Sequence, residues 1–256
     1  MGKVFIGTSG FFYPHWREVF YPEILPQKDW LLYYTKHFDT VELNVSFYRL
    51  PKREVFESWR KKAGDKFVFA VKGWKTITHI KKLKNCQEEI KRFFEVVSVL
   101  NTPEVVLRLR HTSGMKLKNV ILWQLPPSLK FDRERLKNFL AILPKNWRHA
   151  FEFRHPSWRN EKTWEILRKH KAAVVFQDYP GWPIFEEITA PFVYLRFHGK
   201  ESLYSSCYTE KELSDWARKI KNWQKQGLDV YAYFNNDVLG YAVENAKTLE
   251  SLVQLD

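Results

Sequence analysis

Short runs of β-branched and aromatic residues alternate along this chain with longer segments in which apolar residues recur every three or four positions. The runs Val4 to Gly10, Thr40 to Asn44, Phe67 to Lys72, Asn119 to Pro126, His149 to His155, Ala172 to Asp178, Phe192 to Gly199 and Asp229 to Asp237 read as eight strands. The clearest helix is Thr209 to Gln226. Thr209 and Glu212 form a capping-box pair, Leu213, Trp216, Ile220 and Trp223 share one face, and Gly227 stands where a helix stops. Asp132 caps a second segment, whose Leu136, Phe139, Leu140 and Leu143 share a face, and Asn160 begins a third with Trp164 and Leu167.

Strands that alternate with helical segments are the signature of βα units and a parallel sheet. Eight strands and seven helices in 256 residues predict an α/β fold, a closed (β/α)8 TIM-type barrel formed as a single domain over residues 1–256. Two places break the pattern. YPGWPIFEEITAP, after the sixth strand, holds three prolines and a glycine, so the sixth helix is expected to be short or absent. Glu104 to Arg110 alternates like a strand and precedes a Ser-Gly turn, which predicts an extra hairpin near residues 104–118. No dinucleotide or phosphate-loop fingerprint, nucleophile elbow or H-E-x-x-H motif occurs, so the common nucleotide, serine-hydrolase and zincin chemistries lose support, and nothing signals an organic cofactor.

Composition adds a charge. Lys and Arg number 42 against 29 Asp and Glu, a formal net charge of +13, which favours a phosphate-bearing or polyanionic partner, DNA or RNA included. The basic residues are dispersed, as on ordinary solvated helix faces. An aromatic content of 17% excludes a disordered chain. Two cysteines give neither a disulfide framework nor a metal knuckle, and no run reaches the length of a membrane span or a signal-peptide core; a cytoplasmic protein with no membrane partner is expected.

The strand ends carry the chemistry. Successive strand side chains alternate faces, so Glu42 and Asn44 point one way together, as do Glu152 and Arg154, Arg196 and His198, and Asn235 and Asp237. Lys72, Gln124 and Asp178 close three further strands, and Thr8 and Ser9 close the first. Polar residues thus collect at the C-terminal strand ends, where barrel enzymes build active sites. An ion network there for stability alone is a weak alternative, because desolvating each ion costs several kcal/mol. His198, which shares a face with Arg196, is the better proton-transfer candidate; His155, beside Pro156 and on the other face, reads as structural.

The segments GTSGFFYPHW, FYP, TVELNVSFYRLP, FVFAVK with a following ITH, WQLPPS, EFRHPSW, YLRFHG and YFNND, in this order, resemble the YecE-like family, known as domain of unknown function 72. The likeness runs from about Gly7 to Ala246. It implies a TIM-barrel-like fold, and its motifs contain Glu42, Asn44, Lys72, Glu152, Arg154, His198, Asn235 and Asp237, the polar positions already reached from alternation. Residues 102–118 depart from the family pattern.

Three functions compete. The first is a hydrolase of phosphodiesterase or nuclease type acting on a phosphate-bearing substrate. Glu42, Glu152, Asp178 and Asp237 would hold Mg²⁺ or Mn²⁺, with His198, Glu152, Glu42 and Asp237 as catalytic groups. Asn44, Lys72, Gln124, Arg154, Arg196 and Asn235 would bind substrate, and Phe11, Phe12, Trp16, Trp74 and Trp182 would stack on bases. The second is a metal-independent lyase, isomerase or glycoside hydrolase for a sugar or small polar metabolite, with Glu42 and Glu152 as acid and base. The third is a non-catalytic binding scaffold.

Overall fold

The hydrophobic pattern becomes, in chain order, β1 (Val4–Thr8), α1 (Trp30–Tyr34), β2 (Thr40–Leu43), α2 (Val45–Tyr48), α3 (Arg53–Ala63), β3 (Val68–Lys72), α4 (Gln87–Val97), β4 (Val120–Gln124), α5 (Arg133–Ile142), β5 (Arg148–Glu152), α6 (Glu161–His170), β6 (Ala173–Asp178), β7 (Phe192–Phe197), α7 (Glu210–Lys225), β8 (Asp229–Phe234) and α8 (Tyr241–Gln254). The structure is a computed structural model and describes residues 1–101, 119–199 and 202–255. Eight parallel strands with helices between them make this an α/β fold of the (β/α)8 TIM-barrel type. The hairpin expected near residues 104–118 lies outside the described residues. No helix forms in residues 179–191, where prolines remove backbone donors and fix φ. Among the described residues no helix is long and apolar enough to cross a membrane.

The described chain divides into two compact units, Met1–Glu42 with the chain from Ala173 onward, and Leu43–Ala172. In the first, β1 pairs with β8, β8 with β7 and β7 with β6, all parallel. One face of this sheet takes helices: Phe197 meets Trp216 of α7 with ring centres 5.2 Å apart, and Phe176 meets Trp223 at 5.6 Å. Arg196, one residue before Phe197, therefore faces away from α7. Helix α7 starts with the full capping box of Thr209 and Glu212, and Gly227 follows its end with φ of 83°.

In the second unit β3 pairs with β4 and β4 with β5, again parallel, with Gln124 beside Glu152. Trp123 packs edge-on to Phe139 of α5 at 5.1 Å and lies 5.7 Å from Phe93 of α4, so Gln124 points the other way. Asp132 and Asn160 cap α5 and α6 by accepting from the Arg135 and Thr163 amides, each at 3.0 Å.

Thr209→Ala removes the oxygen that accepts from the Glu212 amide, and is expected to lower stability by about 1 kcal/mol. Denaturant unfolding reads this directly, and an unchanged midpoint would refute it.

Candidate functional site

Strands β5, β7 and β8 stop earlier than their sequence runs, at Glu152, Phe197 and Phe234. Arg154, His198, Asn235 and Asp237 therefore stand just beyond strand ends. Ladder bonds persist one residue further, His198 N donating to Asp178 O at 3.0 Å and Asn235 N to Phe197 O at 2.7 Å, and this carries the alternation past the strands.

In the first unit the residues gather around Glu42. A parallel bridge joins Ser9 to Glu42, with Ser9 N donating to Phe234 O at 2.7 Å and Gly10 N to Glu42 O at 2.8 Å. Gly7 makes this approach possible, because a Cβ there would lie 2.3 Å from the Thr40 carbonyl oxygen. Arg196 clamps Glu42 in a fork, Nη2 to Oε1 at 2.7 Å and Nε to Oε2 at 3.0 Å. Tyr194 OH donates to Oε2 at 2.7 Å and Ser9 Oγ donates to Oε1. Arg196 also reaches Ser9 Oγ and His198 Nε2, each at 3.2 Å. Burial holds the Tyr194 hydroxyl well above its ordinary pKa, and the Glu42 charge adds to this. Thr40 Oγ1 and Tyr233 OH, 2.7 Å apart, form a further buried pair beside this group.

Asp178 accepts from the Tyr208 hydroxyl, which in turn accepts from Gly199 N at 3.1 Å. Asn235 is half-buried and engages Phe197 through its backbone. Asp237 presents its main-chain oxygen to His15 Nε2 at 2.8 Å and Trp16 Nε1 at 3.1 Å. Burial raises its carboxyl pKa, opposed by its own amide and by His15.

The second unit brings together Lys72, Gln124, Glu152 and Arg154. Glu152 Oε1 accepts from Gln124 Nε2 at 2.8 Å and from Arg154 Nε at 2.5 Å, with Arg154 Nη2 on the same oxygen. Lys72 Nζ lies over the Phe47 ring, 4.3 Å from its centre. Asn44 stands at the start of α2 without capping it through its side chain. His79, at the end of a π-helical turn (Thr76–Ile80), packs edge-on to Phe47 at 4.9 Å, its Nδ1 2.9 Å from Thr78 Oγ1. Burial lowers the His79 pKa, Lys72 lowers it further, and Glu152 opposes both.

Tyr194, Ser9, His79 and Tyr208 are not among the site residues that the strand-end pattern predicts. Tyr194 lies two positions before Arg196, so the alternation used for Arg196 would have found it had hydroxyls been counted with charges. Ser9 reads from sequence only as a strand end, and His79 only as part of the ITH motif; Tyr208 carries no sequence signal. Of the aromatic residues expected to stack on a ligand, Trp16 and Phe11 are core, 0% and 6% exposed, because the Trp16 indole is spent on Asp237 O. Phe12 is exposed, and Trp74 and Trp182 are half-buried. His155 accepts from Ser157 N at 3.1 Å and caps the turn Pro156–Trp158, a structural task.

Among the described residues no three His, Cys, Asp or Glu side chains form a group that could hold a metal ion. Glu42 already receives Arg196, Tyr194 and Ser9, and Glu152 Oε1 already receives Gln124 and Arg154. Among the described residues Glu42, Glu152, Asp178 and Asp237, the donor set expected for Mg²⁺ or Mn²⁺, therefore form no group of three ligands.

The arrangement has relatives. UPF0759 protein YunF of Bacillus subtilis (strain 168) is 25% identical, over 99% of this chain and 95% of that protein. UPF0759 protein YecE of Escherichia coli (strain K12) is 26% identical, over 84% and 82%. A crystal structure of a DUF72 family protein from Thermotoga maritima MSB8 superposes with a TM-score of 0.79 at 30% identity, covering 99% of this chain and all of that one. The family described as "Protein of unknown function DUF72" matches residues 5–256, so the chain belongs to the DUF72 family.

Proposed function

We propose that the chain is a hydrolase of a phosphate-bearing substrate, acting at the C-terminal ends of β3, β4 and β5 through its own side chains. The observation that carries this reading is His79. It is a half-buried imidazole, oriented through Nδ1 by Thr78, within electrostatic reach of Lys72 and Glu152, with its pKa held below the ordinary value. Such a group is neutral at physiological pH and ready to accept a proton from water or a substrate hydroxyl. The Thr78 hydroxyl lies 3.5 Å from Trp74 O; when it donates there it accepts from Nδ1–H, and Nε2 becomes the basic nitrogen.

Lys72 and Arg154 supply what a phosphoryl group needs, a point charge and a planar fork of donors, and Glu152 and Gln124 orient the fork. The surplus of basic over acidic residues adds a general attraction for anions, nucleic acids among them. No step is routed through Mg²⁺ or Mn²⁺, because the carboxylates do not cluster as ligands. Two free thiols, buried Cys86 and exposed Cys207, suit a reducing cytoplasm.

A screen of phosphomonoesters, phosphodiesters and oligonucleotides with Mg²⁺, with Mn²⁺ and with EDTA tests the reading. Activity is expected to survive EDTA and to fall about 100-fold or more in His79→Ala, while Arg154→Ala raises KM more than it lowers kcat. Activity untouched by His79→Ala would overturn the role of His79, and activity abolished by EDTA and restored by a divalent ion would overturn the metal-free reading.

A further inference from the structure

We infer that the substrate is a phosphorylated phenol, held with its phosphate on Lys72 and Arg154 and its ring on Tyr48. The inference rests on the phosphate hydrolysis proposed at the ends of β3, β4 and β5. It names the group on the far side of the bond that breaks.

The platform is built outward from the end of β3. Ser46, buried in α2, donates its hydroxyl to Lys72 O at 2.6 Å and so ties this short helix to the strand. The tie sets the next two side chains. Phe47 lies under Lys72 Nζ, and two further rings stand perpendicular to it, His79 at 4.9 Å and 82°, and Tyr48 at 5.1 Å and 89°. One phenyl ring is thus shared by the cation, the base and a second aromatic side chain. Tyr48 and Ile80, which follows His79 in its turn, are each 67% exposed, and Val45, on the same face of α2 as Tyr48, is exposed as well. A single exposed apolar side chain is ordinary, but here three are carried by the two short turns that hold Phe47 and His79.

A bare phosphate would leave these side chains in water, whereas a flat aromatic group on the ester oxygen buries the Tyr48 ring by stacking on it. The chemistry agrees. His79 Nε2 takes a proton from water as the water oxygen bonds to phosphorus, and the bond from phosphorus to the aryl oxygen breaks with its electron pair. An imidazole that is accepting a proton does not give one to the leaving oxygen in the same event. A phenol, with a pKa of about 10, leaves as phenolate without one, whereas an alkoxide is too basic to leave unaided. The imidazolium then returns its proton to the phenolate, and the products are a phenol and inorganic phosphate.

Phenylphosphonate and methylphosphonate carry the same anionic group without an ester bond that water can cleave, so calorimetric titration with each reads binding apart from turnover. The natural sequence is expected to bind phenylphosphonate about tenfold more tightly than methylphosphonate. Tyr48→Ala alters an exposed side chain and keeps the Ser46 tie; it should abolish that preference and leave the methylphosphonate affinity unchanged, while Tyr48→Phe should keep the preference. Equal affinities in the natural sequence, or a preference that survives Tyr48→Ala, would overturn the inference and leave the phosphate site standing. Methylphosphonate binding that is absent, or that a folded Arg154→Ala protein retains in full, would overturn the phosphate reading and this inference with it.

Discussion

Glu42→Leu is expected to cost about 3–5 kcal/mol of stability, because it leaves the Arg196 guanidinium buried without its counter-ion. The two side chains are 0% and 2% exposed, so water cannot take over the lost contacts. Ser9 and Tyr194 lose their acceptor at the same time, and each stranded hydroxyl adds to the cost. Against a total of about 5–15 kcal/mol for an ordinary domain, the loss is large enough to unfold much of the protein on mild heating. The double variant Glu42→Leu/Arg196→Met replaces the charges by apolar groups of similar volume, and should recover most of the loss. Urea unfolding of both separates two ideas. A double variant as unstable as the single one would mean that the site needs these shapes and hydrogen bonds, and that the stranded charge is not the cause. The same pair bears on function, since the double variant also releases His198 from Arg196.

The eight strands were legible because each is a short β-rich run bounded by turn residues, and α7 because its capping box, apolar face and terminal glycine agree with one another. The polar strand ends were legible because alternation needs only the strand direction. Geometry beyond the strands was harder to read. Arg154 and His198 lie two residues and one residue past the ends of β5 and β7; a ladder bond that runs on past the last regular residue keeps the alternation at His198, and Arg154 is held by its bonds to Glu152. The partners of Glu42 are hidden in the sequence for a different reason. A sequence displays Glu42 and Arg196 as separate charges 154 positions apart, each available to a metal or substrate, whereas the Ser9–Glu42 bridge and the pairing of β1 with β8 and β8 with β7 make them partners of each other. His79 is hidden in the opposite way. It lies in no strand, so alternation passed over it, and only the π-helical turn after β3 brings it towards Lys72 and Glu152.

Acidification from pH 6.5 to pH 4 should cost the protein about 3 kcal/mol through His149 alone. His149 is buried as the second residue of β5, and its Nδ1 accepts from Trp123 Nε1 at 3.2 Å. Its Nε2 therefore carries the hydrogen and donates to Pro144 O at 2.9 Å. A second proton would have to enter at Nδ1, against the indole N–H and among the rings of Phe94 and Trp123. Burial accordingly pulls the pKa down from 6.5 to about 4, and the Pro144 carbonyl offsets this only in part. Below pH 6.5 the unfolded chain takes up a proton that the folded chain refuses until about pH 4. The unfolded state thus binds more protons across that window, and stability must fall as pH falls, levelling off on either side. His37, His79 and His170 are also depressed and add smaller slopes of the same sign, so the comparison has to isolate His149. His149→Gln does this, because an amide can accept from Trp123 and donate to Pro144 without ionising. Unfolding free energies at pH 7 and pH 4.5 should differ less in His149→Gln than in the natural sequence by about 2–3 kcal/mol, and equal slopes in the two proteins would show that His149 is not what the acid attacks.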